Sequence, residues 1–173
     1  MEVDLNNTFA YDKIMLHIDS NNGTFIKPDE FSFYIKFSDT IKNAISIQII
    51  NITVITNTQY TTDDKFYLSL NNFDREISYI KQPDNNINEI KYFALIPYDG
   101  TIVDTNKYKS TLAISTNIGN FASSFNHTIN PVLQSLNRFD LSLRDKNNNI
   151  YRKSDIHSIK LNICIYTVKK NLS

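Results

Sequence analysis

Two runs, Phe139-Asp140-Leu141-Ser142-Leu143-Arg144 and Ile159-Lys160-Leu161-Asn162-Ile163-Cys164-Ile165-Tyr166, decide the fold class. In the first, Phe139, Leu141 and Leu143 alternate with Asp140, Ser142 and Arg144; in the second, four aliphatic residues alternate with Lys160, Asn162, Cys164 and Tyr166. A period of two is that of a half-buried strand. Between the runs lies Lys146-Asn147-Asn148-Asn149. Asn suits a turn because its amide can bond its own backbone and it tolerates the left-handed region. The stretch from Asn130 to Thr167, entered through Pro131, therefore predicts two long closing strands, paired with each other or set in facing sheets.

The same period runs through the rest of the chain. Ile14, Leu16 and Ile18 alternate with polar partners and lead into Asn22-Gly23, a hairpin signal from which Thr24 to Lys27 could pair back. Phe31, Phe33, Ile35 and Phe37 form the cleanest strand face, followed by a turn-like Ser38-Asp39-Thr40. From Ala44 to Thr56 the aliphatic phase changes, from Ile45, Ile47 and Ile49 to Ile50, Ile52 and Val54. A β-bulge near Ile49 and Ile50, or a bend from one sheet to the next, would leave that pattern. Further strands are expected at Phe66 to Leu70, at Ile77 to Ile80, and at Ile90 to Ile96, the last ended by Pro97 and the Asp99-Gly100 turn. One more is expected from Lys107 to Thr116. Residues 117–131 read as an irregular loop anchored by Phe121, Phe125 and Ile129. The pattern of about eight or nine strands with turn signals between most of them is that of an all-β antiparallel sandwich or jelly roll. Residues 1–10 read as an extended arm and residues 11–173 as one domain.

At 173 residues the chain can bury a core without disulfides or metals. Its 18 basic and 18 acidic residues cancel, which gives no global attraction for nucleic acid. A single cysteine fits a reducing compartment. The polar first ten residues do not have the form of a signal peptide. The apolar-rich run from Ala44 to Ile55 is interrupted by polar residues and too short to span a bilayer. Usage is rich in Asn, Ile, Lys, Phe and Tyr, residues with A/T-rich codons, and holds only 3 Gly and no Trp.

Candidate chemistry is sparse. His17, His127 and His157 are isolated from one another and from Cys164, without metal-ligand spacing. A lone strand cysteine such as Cys164 belongs to packing unless a base activates it. Asp145-x-Asn147-x-Asn149 begins like a calcium loop, but Ile150 and Ile156 stand where the Gly and the bidentate Glu are needed. Neither a catalytic residue nor a cofactor is implied. Asn22, Gly23, Asp99 and Gly100 are the clearest exposed loop tips.

Beyond these patterns, Phe31-Ser32-Phe33-Tyr34-Ile35, Ile41-Lys42-Asn43-Ala44-Ile45-Ser46-Ile47 and the segment Asn130-Pro131-Val132-Leu133 to Asp145 resemble single-jelly-roll capsid proteins of the large nucleocytoplasmic DNA viruses. The resemblance covers most of the chain from Tyr11; it rests on pattern, without a diagnostic motif, and Asn149 stands where similar proteins often carry Gly. It implies a non-enzymatic penton or minor capsid protein, assembled in the host cytoplasm into the virion capsid as a homo-oligomer, with a pentamer favoured. Its partners would be neighbouring capsid proteins, with no direct contact to nucleic acid and no transmembrane segment. The alternative is a β-sandwich binding module for carbohydrate or protein.

Overall fold

The computed structural model describes residues 11–70, 73–74, 76–81, 86–113 and 126–168. The chain adopts the expected all-β, antiparallel class. Its strands are β1 (Tyr11–Asp19), β2 (Thr24–Phe25), β3 (Ser32–Thr56), β4 (Lys65–Leu70), β5 (Glu76–Lys81) and β6 (Ile87–Tyr92). They continue with β7 (Ala94–Pro97), β8 (Thr101–Asp104), β9 (Lys107–Ala113), β10 (Asn126–Arg144) and β11 (Ile156–Val168). Nine of them share one sheet, and β5 with β6 makes a separate two-stranded one. The N-terminal arm lies outside the described residues.

The 25-residue strand β3 is the spine. Along one edge it pairs first with β10 and then with β9; along the other it pairs first with β2 and then with β11. From β10 the sheet continues to β4 and β7. The corner after β7 turns back toward β9, where the Asp99 amide donates to Ser110 Oγ at 3.1 Å.

A straight strand of this length would span roughly 80 Å. Yet the amide of Phe31, just before β3, donates to the Tyr151 carbonyl at 2.8 Å, and that of Asn57, just after it, to the Asp155 carbonyl at 2.8 Å. Both ends thus meet one short segment, so β3 must curl. Bulges supply the curl. Opposite β11, Asn51 and Ile49 pair with Asn162 and Ile163 and leave Ile50 unmatched, which is the bulge that the phase change predicts. A second skip leaves Ile45 without a β11 partner beside Asn43, whose φ is 57°. Opposite β10, Ile41 and Lys36 pair with Leu136 and Arg138.

That last irregularity absorbs Ser38, Asp39 and Thr40. They are exposed and lie inside β3, so the expected turn is a bulge within one continuous strand. The two closing strands likewise differ from expectation. They neither pair with each other nor lie in separate sheets, because β3 runs between them and takes one on each edge. The expected strand from Ile90 to Ile96 is broken into β6 and β7 at Phe93, whose buried ring and amide turn in toward Leu68. Residues 126–131, read as loop, are the start of β10; Phe121 and Phe125 lie outside the described residues.

The curl brings the halves of the sheet face to face around one apolar core. Phe33, Phe66, Phe139, Leu143, Ile52 and Leu161 all lie in it, essentially without solvent contact. Each such side chain contributes about 1.5–3 kcal/mol by burial. Phe37 meets Phe139 edge to face at 5.1 Å, and Phe31 meets Phe33 at 5.7 Å.

Because Ile50 is the extra residue, deleting it should leave Ile49, Ile52 and Val54 in one continuous inward phase and remove only the bulge. One Ala inserted after Asn51 should instead turn Ile52 and Val54 outward, and that variant should show no cooperative thermal transition by circular dichroism. Ile50→Ala, which keeps the residue count, should retain one.

Candidate interaction surface

The four loop tips expected from the sequence occupy two structured corners. At the first, Ser20–Asn22 forms a 3-10 turn, with Asp19 Oδ1 accepting from the Asn21 amide at 2.9 Å and Ser20 accepting from the Gly23 amide at 3.1 Å. Buried Ser20 Oγ in turn accepts from the Ile159 amide at 3.0 Å, which ties the corner to β11. Asn22 is exposed. Gly23 has φ −84°, so it is not a left-handed hairpin residue, and β2 pairs with β3 rather than back onto β1. Glycine is required there by close approach: a Cβ would run into Cδ2 of the Phe33 ring.

At the second corner Gly100 does have a left-handed backbone, φ 65°, and lies over the Tyr98 ring. Asp99 accepts from the amides of Thr101 at 3.0 Å and Thr111 at 3.2 Å. Asp99 is exposed, but its carboxylate is committed to holding the chain's path from β7 into β8 and β9.

Aromatic packing joins these corners at one end of the curled sheet. Tyr60 stands edge to face with Phe66, Tyr98 and Tyr151 at centroid distances of 5.6, 5.8 and 5.6 Å. Two residues on, Lys153 Nζ lies 3.9 Å from the centroid of Phe25, which also packs on Phe31 and Phe33. Burial, followed by the charges of Asp155 and Asp64, pushes the Tyr60 phenol up to about 12. Burial foremost also raises Tyr151, with Tyr60 and Asp145 adding to it. These tyrosines are used in packing one another. The open depression beside them is lined by Pro28, Asp29, Arg152, Lys153 and Ser154, with no aromatic ring.

The Asn-rich turn is built as its sequence predicts. Asp145 Oδ1 accepts from the amides of Asn147 at 2.8 Å and Asn149 at 2.9 Å, and Asn148 takes φ 66°. Its carboxylate is thereby engaged by backbone. Among the described residues, no group of three or more His, Cys, Asp or Glu side chains is placed to hold a metal ion. Cys164 is fully buried, and burial raises its thiol while the charge of Lys13 acts the other way. His17 Nδ1 lies 2.5 Å from Asn162 Oδ1, whose amide nitrogen donates to Asn51 at 2.8 Å. His17 therefore belongs to a polar rung across β1, β11 and β3. His157 is exposed; the side chain of His127 lies outside the described residues.

Sequence reasoning missed the exposed apolar side chains. Their signal was an alternation with no buried partner face. In the β5–β6 hairpin, Ser78, Ile90 and Tyr92 turn inward, with Ile90 fully buried and Tyr92 edge to face with Tyr67 at 5.3 Å. The other face carries Ile77, Tyr79 and Ile87 among Lys81, Glu89 and Lys91, with Tyr79 68% and Ile87 67% exposed. At the opposite end of the β4–β7 ladder, β8 presents Ile102, 74% exposed, beside Val103. Among the described residues no helix is long and apolar enough to cross a membrane. No protein-family model and no curated protein matches the sequence.

Two measurements probe these corners. Gly23→Ala should destabilise the fold by about 1–3 kcal/mol in denaturant titration, because the added methyl overpacks the Phe33 pocket. Tyr60 holds its proton longer folded than unfolded, where its value is near 10. Its contribution is therefore complete below about pH 10 and is lost as pH rises from there toward about 12. The Tyr60→Phe/Tyr151→Phe variant keeps the rings and should show a smaller loss of stability between pH 10 and 12 than the native chain.

Proposed function

We propose that the chain is a structural capsid subunit of the penton or minor-capsid kind, with a jelly-roll winding and no catalytic role. It acts by joining copies of itself, a fivefold ring being favoured, and neighbouring capsid proteins in a virion shell assembled in the host cytoplasm. The observation that carries this reading is the placement of exposed apolar side chains on the β5–β6 hairpin and on β8, beside a well-packed core. Tyr79, Ile87 and Ile102 gain nothing for the isolated fold, and exposed apolar patches are characteristic of contact surfaces. Repetition in a symmetric assembly makes such small contacts sufficient. The sequence resemblance to single-jelly-roll capsid proteins supplies the kind of assembly. A neutral surface gives no broad attraction for nucleic acid.

The binding-module alternative requires aromatic rings free to line a groove. Tyr98 and Tyr151 instead pack edge to face on Tyr60, which favours the assembly reading.

Mass measurement in solution, with electron microscopy of the oligomer alone and with capsid shells, tests the proposal. Ring-shaped oligomers that dock into a shell are expected, and Tyr79→Ser/Ile87→Ser should weaken docking while leaving the melting temperature within a few degrees. A strict monomer that joins no shell would sink the reading. Sugar-dependent thermal stabilisation would favour the binding module.

A further inference from the structure

Strand β1 closes one side of the nine-stranded sheet. It pairs with β11 over nine consecutive positions, from Tyr11↔Val168 to Asp19↔Lys160, with no register shift. Its other edge has no strand partner among the described residues. Regular edge strands template further pairing unless proline, a bulge, an inward-pointing charge or a covering element blocks them. Strand β1 has no proline or bulge, and its one inward carboxylate, Asp12, stands at the start of the strand, outside residues 14–18. Its inner face is Ile14, Leu16 and Ile18. Ile18 is buried, whereas Ile14 and Leu16 pack on the core but remain half-exposed at the rim. Its outer face carries Lys13, Met15, His17 and Asp19, with Met15 exposed.

We infer that β1 pairs antiparallel with β1 of a second copy of this chain, about a twofold axis at Leu16, so that the two sheets become one. The register follows from the residues. With the axis at Leu16, Ile14 faces Ile18 of the second copy and Leu16 faces itself, which continues the apolar layer across the junction. On the outer face Lys13 then stands opposite Asp19, twice by symmetry, and Met15 opposite His17. Asp19 Oδ2 lies 3.8 Å from Lys160 of its own β11, so the carboxylate would sit between two lysines. With the axis moved to Met15, Asp12 would face Ile18 on the inner side and Lys13 would face His17. That register buries a carboxylate against an aliphatic side chain and loses the charge pairing. Cross-strand pairs of opposite charge stabilise a sheet, and like charges directly opposite destabilise it.

The contact is isologous, so it joins copies in pairs and is independent of the capsid reading. Sedimentation of the full chain over a range of concentrations should show a dimer, or a doubled form of any larger ring. Lys13→Glu, an exposed change that leaves the fold intact, places two carboxylates opposite two others and should weaken pairing by about tenfold or more. Lys13→Arg should preserve it. Under mild oxidation Leu16→Cys should give a symmetric disulfide-linked dimer, since directly opposed residues on antiparallel strands have Cα atoms about 4.5–5.5 Å apart, within disulfide reach. Met15→Cys should cross-link far less. A protein with no twofold pairing at any concentration, pairing unchanged by Lys13→Glu, or cross-linking through Met15→Cys in preference to Leu16→Cys would overturn the inference. Failure of capsid docking with β1 pairing intact would count against the capsid reading alone.

Discussion

The short segment from Tyr151 to Asp155 clasps both ends of a 25-residue strand, and that clasp sets the shape of the molecule. Regular β-structure is stiff enough that the two backbone bonds, Phe31 to Tyr151 and Asn57 to Asp155, can coexist only if the strand between them bends sharply. The bulged positions of β3 absorb that bending, and each also resets which side chains face inward. Curl and side-chain pattern are therefore one problem with one solution. The inward set changes from Ile47 and Ile49 to Ile52 and Val54 where the backbone turns the corner. Ile41 and Ala44 mark the same adjustment around Asn43.

The loops at the clasped end are organised by the same need. Tyr60 packs edge to face against both Tyr98, which is buried, and Tyr151, which is half-buried. Carboxylates nearby are mostly occupied in holding backbone: Asp64 accepts from Thr61, Asp99 from Thr101 and Thr111, Asp145 from Asn147 and Asn149. Burial first, and this acidic rim in addition, raise Tyr60 and Tyr151. Exposed apolar side chains lie instead on the β5–β6 hairpin and on β8.

How far this could be read from sequence depended on whether a residue's environment was local. The Ile50 bulge was legible because aliphatic side chains report inward facing directly, and a slipped phase marks an extra residue or a bend between sheets. Ser38-Asp39-Thr40 was not legible as strand, because three exposed polar residues have the composition of a turn and only the pairing of Lys36 and Ile41 on either side of them with β10 carries the strand through. Gly23 misled for a related reason. Next to Asn it signals a left-handed hairpin, whereas its actual constraint is the Phe33 ring ten positions on. The place of β3 between the closing strands was equally hidden, since alternation gives a strand's face and says nothing of its neighbours. Among the candidate sites, the corners at Asn22-Gly23 and Asp99-Gly100 were found as loops, but their engaged side chains could be seen only in three dimensions.

The central position of β3 also governs how the protein comes into being. Its hydrogen-bonding partners lie far along the chain; Tyr166 donates to Gln48 across 118 positions, and Asn162 to Asn51 across 111. A newly made chain therefore carries a long, aliphatic strand whose main partners, β10 and then β11, are synthesised last, with only the short pairings to β2 and β9 open to it before them. Such distant pairing makes folding slow and leaves intermediates with sticky edges. The fold is thus completed only after β11 leaves the ribosome, and its yield depends on how fast β3 is flanked compared with how fast two unfinished chains meet.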